Sequence, residues 1–154
     1  MLTFRDITSA DRESVIPMVV DFYHSDAVDH EVPVEIMERS FAAAADPDEP
    51  LLRGVLVCDG EDVVGYVYLT FCYSAEVGGR CVFIEEIFLK EQFRGRGYGR
   101  EIMAGMEGEY PDFRRFRLEV TQVNQQAIRL YEKSGYKYLR YDQMVFDKLR
   151  RIQQ

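Results

Sequence analysis

The densest chemistry in this chain is Arg94-Gly95-Arg96-Gly97-Tyr98-Gly99-Arg100, three glycines interleaved with three arginines and a tyrosine. The segment stands between an apolar run at 81–89 and a stretch of helical periodicity, so the chain passes there from strand to helix. At such a junction the unpaired backbone N–H groups and the helix dipole attract phosphate. Glycine lets the backbone approach an anion closely, and Arg94, Arg96 and Arg100 add charge suited to a pyrophosphate and a ribose phosphate. Taken alone, the same spacing also describes a tight strand-to-helix turn with no ligand. A dinucleotide fingerprint fits poorly, because its last glycine falls on Arg100 or Ile102, and no P-loop lysine-serine pair is present.

Two further groups of residues carry reactive side chains. Glu85 and Glu86 interrupt a strand that is apolar on both sides, and strand alternation points them to opposite faces. At least one of these carboxylates is expected to be partly desolvated, which raises its pKa and makes it a better base toward an ammonium. Pairing with arginines at a sheet end is the competing role. Tyr131 follows Asn124 by seven residues, two helical turns and about 10 Å, so the two share one side of a helix. A tyrosine of pKa near 10 stays protonated at neutral pH and can give up a proton to a leaving group, although an inward tyrosine also serves a core.

Arg94-x-x-Gly97-x-Gly99 after Ile84-Glu85-Glu86-Ile87-Phe88-Leu89 resembles the acetyl-CoA motif of the GCN5-related N-acetyltransferase (GNAT) family. A second motif of that family appears in Asn124-x-x-Ala127-x-x-x-Tyr131-x-x-x-Gly135-Tyr136, in the same order and at a matching distance. The resemblance implies acetyl-CoA as acetyl donor, held by Ile87, Phe88 and Leu89, by Arg94 to Arg100 including Tyr98, and by Asn124, Ala127 and Tyr131. It further implies that the strand at 87–89 splays from its neighbour, leaving backbone N–H groups for the pantetheine and the thioester oxygen, and that Tyr131 reaches the sulfur. Glu85 is the favoured base. The stretch from Tyr73 through Phe88 is similar to the diamine and polyamine acetyltransferases, whose corresponding strand carries an acidic pair. The expected activity is transfer of an acetyl group to a primary amine of a small molecule, diamine-like or amino-acid-like, by direct attack in a ternary complex. Acetylation of a protein lysine or N-terminus, and acyl-CoA binding without turnover, are the alternatives.

The acceptor site is expected around Tyr23, His24, Asp26, Tyr73 and Glu86, with Phe22, Asp29 and Glu76 nearby, because aromatic faces and carboxylates both favour ammonium groups. A solvated acidic loop with a few core aromatics has the same composition.

Positioning these residues requires a mixed α/β fold. Strand patterning at 2–7 precedes a helix opened by Thr8-x-x-Asp11 and kinked or split by Pro17, then a helix from Pro33 to about Ala45. A hairpin through Asp59-Gly60 and a turn at Gly78-Gly79 connect three strands. After the glycine loop come a helix with Ile102, Met103 and Met106 inward, a strand at 116–121, a helix from Asn124 to Ser134, and strands at 136–139 and 142–147. The resemblance adds a GNAT-like architecture: a mostly antiparallel twisted sheet of six to seven strands flanked by about four helices, as one domain over 1–154.

Composition narrows the partners. A net charge of −8 disfavours nucleic acid and welcomes a cation. Without a long apolar run or a secretory leader, the expected setting is the cytoplasm, away from membrane. Cys58, Cys72 and Cys81 lie in apolar surroundings away from both motifs and read as buried small hydrophobes, and with His24 and His30 they offer no metal-ligand spacing, so no metal is expected. Exposed strand edges near the C-terminus suggest a homodimer.

Overall fold

The computed structural model describes residues 1–148. Five strands form one sheet in the order β1 (Thr3–Asp6), β2 (Leu52–Asp59), β3 (Asp62–Ser74), β4 (Gly79–Leu89) and β5 (Arg115–Leu118). The first four are antiparallel neighbours, and β5 pairs with β4 in parallel. Helices α1 (Arg12–Tyr23) and α2 (Val34–Ala44) join β1 to β2, α3 (Tyr98–Glu109) joins β4 to β5, and α4 (Gln125–Lys133) follows β5.

Alternation along the central strands sorts the core into two layers. Leu56, Tyr66, Tyr68 and Phe88 pack against Val15, Val19 and Phe22 of α1 and Met37 and Phe41 of α2. Val55, Val57, Val67, Leu69, Val82 and Ile84 pack against Ile102, Met103 and Met106 of α3 and Tyr131 of α4. One sheet thus separates two apolar layers, as period-two patterning requires when both faces are covered.

The turns follow local chemistry. Gly60 takes φ of 61° between β2 and β3, and Gly78 takes φ of 63° before β4, values that a residue with a Cβ rarely adopts. Ahead of α1, a 3-10 turn at Ser9–Asp11 is held by the Asp11 carboxylate, which accepts the Thr8 N–H at 2.8 Å. Helix α1 is continuous through Pro17 rather than split into two pieces. Pro17 and Glu13 are both exposed, so the Glu13 carbonyl that loses its helical donor lies on the solvent side and can be hydrated.

Among the described residues the sheet has five strands rather than six to seven. The segments 136–139 and 142–147 carry strand-like composition but join no ladder. Tyr138 and Val145 are exposed there, and Tyr141 donates to Glu76 at 2.9 Å. Strand propensity reflects fit to a paired, half-buried surface, and these residues have no such surface within the described chain. Cys81 is buried as expected, whereas Cys58 is half-buried and Cys72 lies exposed toward the far end of β3.

Candidate active site

The site grows from an irregularity in β4. Ile84 pairs with Leu69 and Glu86 pairs with Tyr68, so Glu85 is the extra residue of a β-bulge. The bulge cancels the alternation expected for the acidic pair: Glu85 accepts from the Thr70 hydroxyl at 2.7 Å, and Glu86 accepts from the Tyr66 hydroxyl at 2.6 Å. Thr70 and Tyr66 lie on the same face of β3, so both carboxylates face the α1–α2 side. Their environments differ. Glu85 is exposed, while Glu86 is 6% exposed and also accepts from Tyr23 at 2.5 Å. Burial raises the Glu86 pKa, the two tyrosine hydroxyls oppose that rise, and the neighbouring charge of Glu85 adds to it.

The bulge coincides with the end of a ladder. Pairing between β4 and β5 runs from Cys81 with Arg115 to Ile84 with Leu118 and stops. Among the described residues, 85–89 therefore have no strand partner on that edge. A groove of about 1710 Å³ opens there, lined by Glu85, Ile87, Phe88 and Leu89 of β4.

At one end of the groove is the glycine loop. Gly95 and Gly97 have φ of 76° and 83°, in the left-handed region. Gly97 opens α3, and no side chain caps that helix. Its first-turn N–H groups lie beside the groove, the arrangement that receives an anion at a helix start. Arg94 is steadied by donating from Nε to the Leu89 carbonyl at 2.8 Å, and Tyr98 donates to Asp59.

Helix α4 forms one wall. Asn124 Oδ1 accepts the Ala127 N–H at 3.2 Å, capping the helix and leaving the amide NH₂ as the group able to donate to a ligand. Ala127 and Tyr131 line the groove on the same side as Asn124. Tyr131 is 8% exposed, and burial pushes its pKa up to about 12. It therefore stays protonated at neutral pH, with a proton available to a thiolate as that group departs.

The opposite wall is the α1–α2 loop, residues 24–33. Tyr23 and Asp26 line the groove, and the Thr121 hydroxyl donates to the Asp26 carbonyl, tying this loop to the β5–α4 connection.

Most expected site residues thus meet around one groove: Glu85, Ile87, Phe88, Leu89, Arg94, Gly95, Gly97, Tyr98, Gly99, Arg100, Asn124, Ala127, Tyr131, Tyr23 and Asp26. Four do not line it. Arg96 sits over the Phe93 ring at 5.4 Å. His24 turns back on α1, with Nδ1 2.8 Å from the Val20 carbonyl. Tyr73 pairs with Arg80 near the β3–β4 turn, which puts it about 16 Å along the sheet from the bulge. Glu86 lies beneath the groove, engaged by tyrosines. Glu76, also expected nearby, is held by Arg115 at 2.5 Å.

Several groove residues carry signals too weak to single out in sequence. Arg129 and Lys133, at i and i+4 on α4, add positive charge to that of Arg94 and Arg100. Glu31 adds negative charge to that of the expected Asp26, Asp29 and Glu85, from the α1–α2 loop and the bulge. Tyr66, which secures Glu86, reads in sequence only as a core aromatic.

Comparison with known proteins agrees with this geometry. Residues 16–136 match the Acetyltransferase (GNAT) family. The chain is 28% identical over 141 residues to a mouse thialysine N-epsilon-acetyltransferase, covering 85% of this chain and 81% of that protein. The pig protein of the same name is 31% identical over 112 residues, covering 66% of this chain and 65% of that protein. A possible acetyltransferase from Clostridium difficile 630 shares the fold at TM-score 0.79 and 14% identity, over 96% of this chain and 97% of that one. The aminoglycoside N-acetyltransferase AAC(6')-Iy, solved with CoA, superposes at TM-score 0.73 and 14% identity, over 96% and 95% of the two chains.

Proposed function

Because the chain belongs to the GNAT acetyltransferase family and is an N-acetyltransferase, we propose that it transfers acetyl from acetyl-CoA to the primary amine of a small cationic molecule, lysine-like or diamine-like. The observation that carries this reading is the open edge of β4 at 85–89, with a phosphate-ready glycine loop beside it and a carboxylate at its bulge. The thialysine named for the mouse and pig relatives is an amine of this class.

Acetyl-CoA supplies the activated acetyl group as a thioester. The N–H groups of 95–99, with Arg94 and Arg100, fit its phosphates, and the unpaired backbone of 87–89 fits its pantetheine amides and the thioester oxygen. Backbone donors fixed in advance stabilise charge that develops on that oxygen without reorganising. Glu85 takes the proton from the acceptor ammonium, directly or through water, so that the nitrogen can attack. Tyr131 gives its hydroxyl proton to the departing sulfur, and the second proton lost by the acylated nitrogen restores the tyrosine through solvent. Both substrates bind before transfer, since Cys58, Cys72 and Cys81 do not line the groove and leave no thiol placed to carry acetyl. Asp26, Asp29, Glu31 and Glu85 favour a cationic acceptor by charge, and Tyr23 adds an aromatic face.

The same reading places one acetyltransferase domain in the cytoplasm, a setting that suits three free thiols; no described helix is long and apolar enough to cross a membrane. A homodimer belongs to it as well, supported by exposed Tyr138, Tyr141, Met144 and Val145 and by the outer edge of β5, which pairs with no strand among the described residues.

Thermal unfolding with acetyl-CoA, CoA, NAD and ATP tests the groove. A ligand at 100 times its Kd adds about 2.7 kcal/mol, a rise of roughly 5–10 °C for a chain of this size. A shift confined to the CoA compounds supports the reading and is followed by assays on thialysine and diamines; no shift at millimolar CoA defeats it.

A further inference from the structure

Glu86 lies outside the groove, yet it is the most elaborately held carboxylate beside it. Tyr66, with no exposed surface, donates to one oxygen at 2.6 Å, and Tyr23 donates to the other at 2.5 Å. Tyr66 is itself fixed: its ring stacks on Phe88 at 6.0 Å and meets Tyr68 edge-on at 5.0 Å. Tyr23 is the member that reaches the groove, where its ring also meets Phe22 edge-on at 5.2 Å. The chain of contacts thus runs from the core to the acceptor wall.

We propose that Glu86 is a positioning residue acting through Tyr23: the Tyr66–Glu86–Tyr23 chain fixes the aromatic wall of the acceptor end and keeps a buried negative charge behind Glu85. This deepens the acetyl-transfer reading and rests on it. Glu86 therefore contributes to selectivity for a cationic amine without touching the amine.

A buried carboxylate holds its charge only where donors replace water, and here two donors do so. The groups facing Glu86 are Tyr23 from α1, Tyr66 and Tyr68 from β3, and Glu85 from β4. All are neutral or negative, so the two hydroxyl donors are what counter burial and the Glu85 charge. Removing one donor lets Glu86 take up a proton at higher pH, and the acceptor end then loses one negative charge. Tyr66→Phe makes that change at a side chain that does not itself line the groove.

The test has two readouts. In glutamate-labelled protein, ¹³C NMR follows the carboxyl of Glu86, assigned by its loss in Glu86→Gln. In parallel, kcat and KM for thialysine are measured from pH 6 to 10 at saturating acetyl-CoA. Tyr66→Phe is expected to raise the Glu86 midpoint by about one pH unit and to move the acid limb of kcat/KM upward by a similar amount. KM for thialysine should rise about tenfold below that limb, with KM for acetyl-CoA within about twofold. Should Tyr66→Phe fail to fold, Tyr23→Phe removes the other donor and must move the same midpoint. An unmoved midpoint, or pH profiles that superpose, overturns the proposal. Turnover with no amine overturns the acetyl-transfer reading and the acceptor-end role with it, while a displaced midpoint would still establish the hydrogen-bond chain.

Discussion

Gly65 on β3 passes so close to Phe88 on β4 that a Cβ at Gly65 would stand 2.2 Å from the Phe88 carbonyl oxygen. That contact holds the segment 85–89 against β3 on one side while its other edge stays open to the groove. The atom in the way is backbone, so a larger residue must push the strand rather than a side chain. Gly65→Ala should therefore cost about 1–3 kcal/mol in urea unfolding and weaken acetyl-CoA binding together, because the displaced strand is the one proposed to receive the cofactor. Wild-type stability in the variant would show that the strand yields freely.

Tyr131→Phe should lower kcat by about 10²-fold while leaving KM for acetyl-CoA near the wild-type value, since only the proton is removed. With the Tyr131 pKa at about 12, wild-type turnover should show no alkaline loss from this group below about pH 10.5. Rates measured from pH 6 to 10.5 decide the point, and unchanged turnover removes Tyr131 from the reaction.

For Glu85→Gln, the deficit should depend on pH. Near pH 7 a lysine-like amine is protonated and needs a base, so kcat/KM should fall about 10–100-fold. As pH approaches the amine's own pKa, near 10, the variant should regain most of the wild-type rate, because the free amine is then already present. A deficit constant across pH would assign Glu85 to binding.

Asp11 provides a pH signature in stability. Its carboxylate pairs with Arg5 at 2.7 Å and accepts from Thr8, and these contacts, with the Arg5 hydrogen bond the largest, hold its pKa well below the usual carboxylate range. A depressed pKa stabilises the fold above the unfolded-state value near 4 and loses that contribution as pH falls toward the folded-state value. Asp11→Asn should thus melt below wild type at pH 7, with the gap closing as pH drops from about 4 toward 2. Parallel melting curves across that range would show that the pair adds nothing.

The oligomer is tested by light scattering of the eluted protein. A dimer mass that falls to the monomer when Val145→Lys and Met144→Lys are introduced supports association through the exposed C-terminal segment; a monomer at 100 µM concentration, roughly the upper end of ordinary work, excludes it.

What the sequence determined by itself was local. The glycines at 95 and 97 take positive φ, Asn124 caps α4, and Ile102, Met103 and Met106 turn inward, since caps, turns and periodicity depend on a few neighbouring residues. The two motifs also identified the family, and with it the groove residues at 87–89, 94, 95, 97–100, 124, 127 and 131. Strand membership at 136–147 was not legible, because a strand exists only with a partner and the partner is not local. Nor was the relation of Glu85 to Glu86. Simple alternation sends adjacent residues to opposite faces, and only the register of β4 against β3 reveals the bulge that turns both to one side. Register likewise carried Tyr73 away from the site and brought Tyr66, 20 residues from Glu86 along the chain, into contact with it. These relations are set by which backbone groups find partners across the sheet, a choice made by the whole core rather than by any stretch of sequence.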